Sequence, residues 1–277
     1  MDNFIIRKAK TMSDVKSIVE IQKRAWDMGD EGVVPSFEMK AVIDSGVVLV
    51  AVDSTDTPVG FIYAFDRIPD IHYSHMMGIL PEWQSKNVGF RLKEYHRNIA
   101  LQNKYPINQI QWTVDPLLPN NAYLNFTKLG CVCSTYKVDY YGDPNSDSVG
   151  IYAGVPTDRF LVQWFIRDER VDRRMNDYTI DRVSLEKLLV RSPSINFINH
   201  DAWISLDNKV ENSFTVEVPS NYQLIRQTNL SLANDWRIKL RDVCVNYFQD
   251  GWEVLDYHSF KDGDIRRNFY EFRRKNT

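Results

Sequence analysis

The sequence predicts a mixed α/β protein, and three observations carry that reading. Apolar runs with strand periodicity recur through the chain, as in "GVVLVAVD" (Gly46–Asp53) and "TPVGFIYAFDRI" (Thr57–Ile68). Between them lie longer segments whose apolar residues return at helical spacing. Their order is strand, two helices, three strands, helix, strand, helix, two strands, which departs from the regular alternation of a doubly wound sheet. With 43% apolar and 13% aromatic residues in 277, a sizeable core is available.

Each element has its own signal. "FIIRKAKTMSDVKSIVEIQKRAW" (Phe4–Trp26) opens as a strand and turns helical near Ser13, the expected N-cap, with Val15, Ile18, Val19 and Trp26 on one face. "GVVPSFEMKAVIDSG" (Gly32–Gly46) predicts a loop and a short helix. Two strands follow, joined by the polar turn "STDT", and "DIHYSHMMGIL" (Asp70–Leu80) is a third. After it come an amphipathic helix to Leu101, a strand at "NQIQWTVDP", a helix at "NNAYLNFTKLG" and a strand at "CVCSTYKVDYY". A Gly/Pro/Asp/Ser-rich loop (Gly142–Gly150) precedes the strand "DRFLVQWFI".

Charge-dense "RDERVDRRMND" (Arg167–Asp177) reads as a linker or exposed helix end. Beyond it, "SINFINHDAWISL" and "NSFTVEV" predict strands, "NLSLANDWRIKLRDVCVNYFQD" a long helix, and "WEVLDYHSF" with the arginine-rich tail two more strands.

Composition excludes several functions. A formal charge of −3 and a pI near 6.0 argue against general nucleic-acid binding. "RRNFYEFRRKN" (Arg266–Asn276) mixes arginine with aromatics and reads as an alternating strand with solvated arginines. No apolar stretch reaches the roughly 18 residues of a membrane span, and "MDNFIIRKAK" lacks a signal peptide's apolar core, so a cytoplasmic protein is expected. Three cysteines without CxxC spacing fit a reducing compartment, and no metal site is expected; Cys131 and Cys133 share a strand face as small core residues.

The stretch "PEWQSKNVGFRLK" (Pro81–Lys93) breaks a strand at a proline and enters a helix with no side-chain cap evident. A turn of this kind aims backbone N–H groups and the helix dipole at an anion. Its residues Gln84, Ser85, Lys86, Asn87, Val88 and Gly89 resemble the pyrophosphate-binding motif R/Q-x-x-G-x-G/A of the GNAT acyl-CoA N-acyltransferase superfamily. Asn87 replaces the first glycine, a mild departure because asparagine tolerates left-handed backbone angles. "SHMMGILPEWQSKNVGFRLK", "WTVDPLLPNNAYLNFTKLG" and "GVPTDRFLVQWFI" together are similar to a bacterial and archaeal branch of predicted acetyltransferases. VEVP (Val216–Pro219) and DWR (Asp235–Arg237) extend that resemblance into the tail.

The resemblance implies a GNAT fold with a splayed central mixed sheet over residues 1–170. A C-terminal α/β extension, 171–277, would then cap the acceptor pocket or form a homodimer interface. It further implies acetyl or succinyl transfer from acetyl-CoA or another acyl-CoA to the amine of a small molecule, with amino acids favoured. Gly78, Ile79 and Leu80 should meet the donor through backbone, beside Gln84–Gly89 and Phe90. A free α-amine has a pKa near ~8, so a modest base suffices.

His75 is the base candidate, with Tyr73, Met77 and Ile79 expected on its face; a core histidine is the competing role. His72 falls on the other face. Asp115, at "WTVDP", is either a proton acceptor or orienting group, or an Asp-Pro turn residue. In many members of the family the acid is a tyrosine four residues before the glycine that ends the next helix; Gly130 places Phe126 there, which leaves the role open to Tyr123 one turn earlier, to Tyr140 or Tyr141 on the next strand, or to water. Phe126 also motivates the alternative of a non-catalytic acyl-CoA-binding or sensory protein.

Overall fold

The computed structural model describes residues 3–68, 70–103, 107–142, 154–176, 183–191, 194–195 and 212–275. Among these, one compact unit takes in residues 3–112 and 165–168, and a second takes in 113–142, 154–164 and 169–275. The chain first passes from one unit to the other between Trp112 and Thr113, and residues 165–168 return to the first.

Unit 1 contains β1 (Ile5–Lys8), α1 (Met12–Trp26), α2 (Ser36–Val42), β2 (Val47–Val52), β3 (Pro58–Ile68), β4 (Ile71–Ile79), α3 (Val88–Leu101) and the start of β5 (Gln109–Val114). The strand order is β1-β2-β3-β4-β5, antiparallel as far as β4 and parallel from β4 to β5. Every residue of β2 is buried, as its unbroken apolar run requires of a strand covered on both faces. Helix α1 is capped two residues before the expected Ser13. Thr11 is the N-cap and Asp14 closes a capping box, because only that spacing places a carboxylate at the third helical position. Arg7 holds the same carboxylate at 2.8 Å, tying β1 to the helix start.

Unit 2 contains α4 (Pro119–Ala122) running into a π-helix (Tyr123–Lys128), then β6 (Val132–Lys137), β7 (Arg159–Phe165), α5 (Glu169–Asn176), α6 (Leu185–Arg191), β8 (Ser194–Ile195), β9 (Ser213–Val218), α7 (Tyr222–Thr228), α8 (Leu230–Gln249), β10 (Trp252–Asp262) and β11 (Ile265–Arg274). Its strand order is β7-β6-β10-β11-β9-β8. The hairpin expected from the tail is present, with β10 and β11 paired along their whole length. Of "SINFINHDAWISL", Ser194 and Ile195 form β8, and 196–206 lies outside the described residues, as does 143–150 of the polar loop.

The charge-dense segment is structural. On α5, Val171 and Met175 are buried, Arg170 donates to Gly130 O, and Arg174 donates to Phe126 O and Thr127 O. Arginines one helical turn apart therefore satisfy carbonyls that the end of the π-helix leaves unpaired. Among the described residues no helix is long and apolar enough to cross a membrane.

Candidate active site

Unit 1 positions His75 through an irregularity in β4. Tyr63 pairs with Met76 and Phe65 with Tyr73, so Ser74 and His75 together oppose Ala64. The extra residue is a β-bulge, and beyond it the alternation is displaced by one. Met77 pairs with Ile62 and Ile79 with Gly60, which places both on the face away from Tyr63 and Phe65. His75 keeps the expected neighbour Tyr73 but not Met77 or Ile79. Its ring lies 5.9 Å from Tyr63, 6.1 Å from Phe65 and 6.3 Å from Tyr73. Burial lowers its pKa below the ordinary imidazole value, and the negative charge of Glu38 acts in the opposite direction. Glu38 accepts a hydrogen bond from the Tyr63 hydroxyl at 3.2 Å.

The other face of β4 packs on α3. His72 is buried there, stacked on His96 at 5.7 Å and 2.7 Å from Asp66. Ser74 accepts from Lys93 Nζ at 3.0 Å, and that ammonium sits 3.3 Å from the centre of the Trp112 ring. A buried lysine is tolerated here because a hydroxyl and a π face replace part of its hydration.

Strand β4 pairs with β5 only from Ile71 to Tyr73, and from Met76 to Ile79 its registered partner is β3. Leu80 N–H is spent on Val59 O at 2.9 Å. In an antiparallel pair the groups facing one neighbour recur at every second residue, so Gly78 also faces β3 while Met77 and Ile79 face away. Of the three backbone donors expected from sequence, Ile79 alone is turned to the β5 side, and Met77 joins it. Gly78 is required for packing instead: a Cβ there would lie 2.6 Å from the Phe61 ring.

The turn after β4 has the curvature its sequence implied. Pro81–Trp83 form one 3₁₀ turn, Ser85 and Asn87 adopt φ of 62° and 64°, and α3 starts with no side-chain cap bond from Asn87. Gln84, Ser85, Lys86 and Asn87 are exposed, whereas Val88, Gly89 and Phe90 are buried in the first turn of α3. Lys86 Nζ lies 4.8 Å from the Trp83 ring centre.

Asp115 and Tyr123 belong to unit 2. Both Asp115 oxygens accept from Arg237 at 2.8 Å, one also accepts from Leu117 N–H at 2.9 Å, and Arg159 lies 3.7 Å away. Burial raises its pKa, but the two guanidiniums and the turn N–H outweigh that and leave it lowered. A carboxylate so engaged is a poor proton acceptor. Tyr123 is half-buried in the π-helix, and Phe126 is buried against Phe160 and Tyr270. Arg237, Glu38 and Arg67 were not signalled as site-related by their local sequence. The cysteines are buried and unbridged, and no cluster of metal-binding side chains occurs among the described residues.

No protein-family model matches the chain, and no curated protein matches its sequence. Solved structures to which it is similar include acetyltransferases, GNAT-family members among them. One is the ribosomal-protein-S18-alanine N-acetyltransferase from Escherichia coli, 14% identical with a TM-score of 0.46 over 59% of this chain and 94% of that one. A GNAT-family acetyltransferase from Streptococcus pneumoniae is 19% identical, with a TM-score of 0.45 over 58% and 98%. A GNAT-family acetyltransferase from Elizabethkingia anophelis with acetyl-CoA bound is 13% identical, with a TM-score of 0.46 over 60% and 99%. Likeness at this level carries nothing about chemistry, which rests on the residues themselves.

Proposed function

We propose that the protein is an acyl-CoA-dependent N-acyltransferase that moves an acetyl or succinyl group onto the amine of a small molecule. The observation that carries this reading is the path from β4, which parts from β5 after Tyr73, through a left-handed turn into the uncapped α3. A diphosphate fits such a helix start, where first-turn N–H groups and the dipole favour an anion. The donor, when bound, supplies the thioester. Val88 and Gly89 would hold its phosphates through backbone N–H, with Lys86 adding charge. Ile79 and Met77 would align its amide arm along the strand edge.

His75 is the proposed base. Its lowered pKa keeps the imidazole neutral near pH 7, able to take the proton of the attacking amine on a ring nitrogen. The departing thiolate takes its proton from water in this reading, and Tyr123 stands in the second unit. Asp115 is assigned to anchoring Arg237. The buried Phe126, with no proton to give, favours the second reading of a protein that binds acyl-CoA without turnover.

Calorimetry with CoA and thiol release from a panel of acyl-CoA donors and amines decide between these. Gly89→Glu puts bulk and negative charge at the phosphates and should abolish CoA binding, whereas Asn87→Gly, which suits φ 64°, should preserve it. Unchanged affinity in Gly89→Glu removes the turn from the donor site. Binding without thiol release across the panel selects the non-catalytic reading.

A further inference from the structure

The face that carries His75 also carries two charges that have no ionic partner among the described residues. Tyr63, Phe65, Tyr73 and His75 form one ring cluster, in which Phe65 lies 5.8 Å from Tyr63 and 5.7 Å from Tyr73. Glu38 stands at the Tyr63 corner, bonded to its hydroxyl. Arg67 stands at the Tyr73 corner, its guanidinium carbon 5.9 Å from the ring centre. Among the described residues, neither Glu38 nor Arg67 has an oppositely charged side chain within ion-pair distance.

Arg67 is nevertheless held in place. Its Nη1 donates to Gln111 Oε1 at 2.9 Å, and Gln111 Nε2 donates to Gln109 Oε1 at 3.0 Å. Both glutamines are 7% exposed, and Gln109 Nε2, at the end of the relay, has no hydrogen-bond partner among the described residues. Burying two amides to fix one surface guanidinium is costly unless that guanidinium is used. Arginine's planar fork matches a carboxylate bidentately, and its remaining donors are available for one.

Resting on the acyltransfer reading, we propose that the acceptor is an amino carboxylate whose amine and carboxylate are separated by an apolar or aromatic body. The amine lies at His75, drawn by Glu38. The body lies over Tyr73, and the carboxylate is bound by Arg67. An amine lacking the carboxylate leaves Arg67 unpaired, and a dicationic amine meets its positive charge.

The test compares benzylamine, 4-(aminomethyl)benzoate and 4-(aminomethyl)benzylamine, by calorimetry and by turnover with acetyl-CoA. Wild type should favour the benzoate over benzylamine by about 10- to 100-fold, the range of a hydrogen-bonded charge. In Arg67→Gln that ratio should fall to near one, and in Arg67→Glu preference should pass to the diamine. Melting temperatures close to wild type, expected for an exposed arginine, confirm that the variants are folded. Equal handling of the benzoate and benzylamine by wild type, or a ratio that survives Arg67→Gln, overturns the proposal. If no amine is acylated, the acyltransfer reading fails and the binding ratio alone still decides the recognition of the carboxylate.

Discussion

His75 owes its place to a one-residue bulge and its neutral form to burial among aromatic rings. Because the neutral imidazole is the base, the rate at saturating donor should rise with pH through a pKa below about 6.5 and then level off. His75→Gln should flatten that limb and lower turnover by about 10²–10⁴, with CoA affinity retained. Glu38→Gln removes the charge that favours the imidazolium and should move the limb to lower pH. A limb unmoved by both substitutions would assign the titration to another group. Gly78 makes a separate prediction: Gly78→Ala drives a methyl toward Phe61 and Trp26 and should cost about 1–3 kcal/mol in denaturant melts. Residue types at the turn were legible in sequence, since Asn87 is among the few residues that accept φ 64°. Arg67 and Glu38 were not, because their significance lies in what they face.

At the scale of elements, α8 shows how a helix recruits loops. Arg237 and Arg241, one turn apart, reach Asp115, Asp139 and Asp158, and the 2.7 Å bond to Asp158 joins a carboxylate with no solvent exposure. Arg237→Leu should destabilise unit 2 by about 3–5 kcal/mol because it strands a buried carboxylate. Adding Asp115→Asn should restore part of that loss, since the stranded charge is then gone. If the double variant is no more stable than Arg237→Leu alone, the two side chains are not coupled. Helix α8 itself was plain from apolar spacing, and so were the strands of the terminal hairpin. The role of α5 was not: a run of charged residues reads as solvated until its arginines are seen to reach the carbonyls of a neighbouring helix.

For the whole molecule, acid should act on the two units in sequence. His72, His75 and His96 of unit 1 all have lowered pKa values, chiefly through burial, and His96 most of all beside Lys93. Below the unfolded value near 6.5 the unfolded chain takes up protons that these folded imidazoles refuse. Unit 1 should therefore lose stability as pH falls from about 6.5, by up to about 1.4 kcal/mol per pH unit for each imidazole. In unit 2, His258 and Arg273 hold the Glu271 carboxyl down at about 2, so that contribution persists until the carboxylate range is reached. Hydrogen exchange should show α3 losing protection between pH 7 and 5 before α8 does. The reverse order would place the acid-sensitive groups in unit 2.

What the sequence determined by itself is local. Apolar periodicity placed the described strands and most of the helices, though not α6 or α7, and proline, asparagine and the glycine spacing marked the turn into α3, because each depends on a few neighbouring dihedral angles and on which faces avoid water. What only the tertiary structure decided is everything set by partners distant in the chain. A bulge opposite Ala64 turned Met77 and Ile79 away from His75. Contacts placed the compact break after Trp112, and Arg237, 122 positions away, made Asp115 an anchor. Those outcomes depend on strand register and on the pairing of buried charges, and neither leaves a periodic trace in the chain.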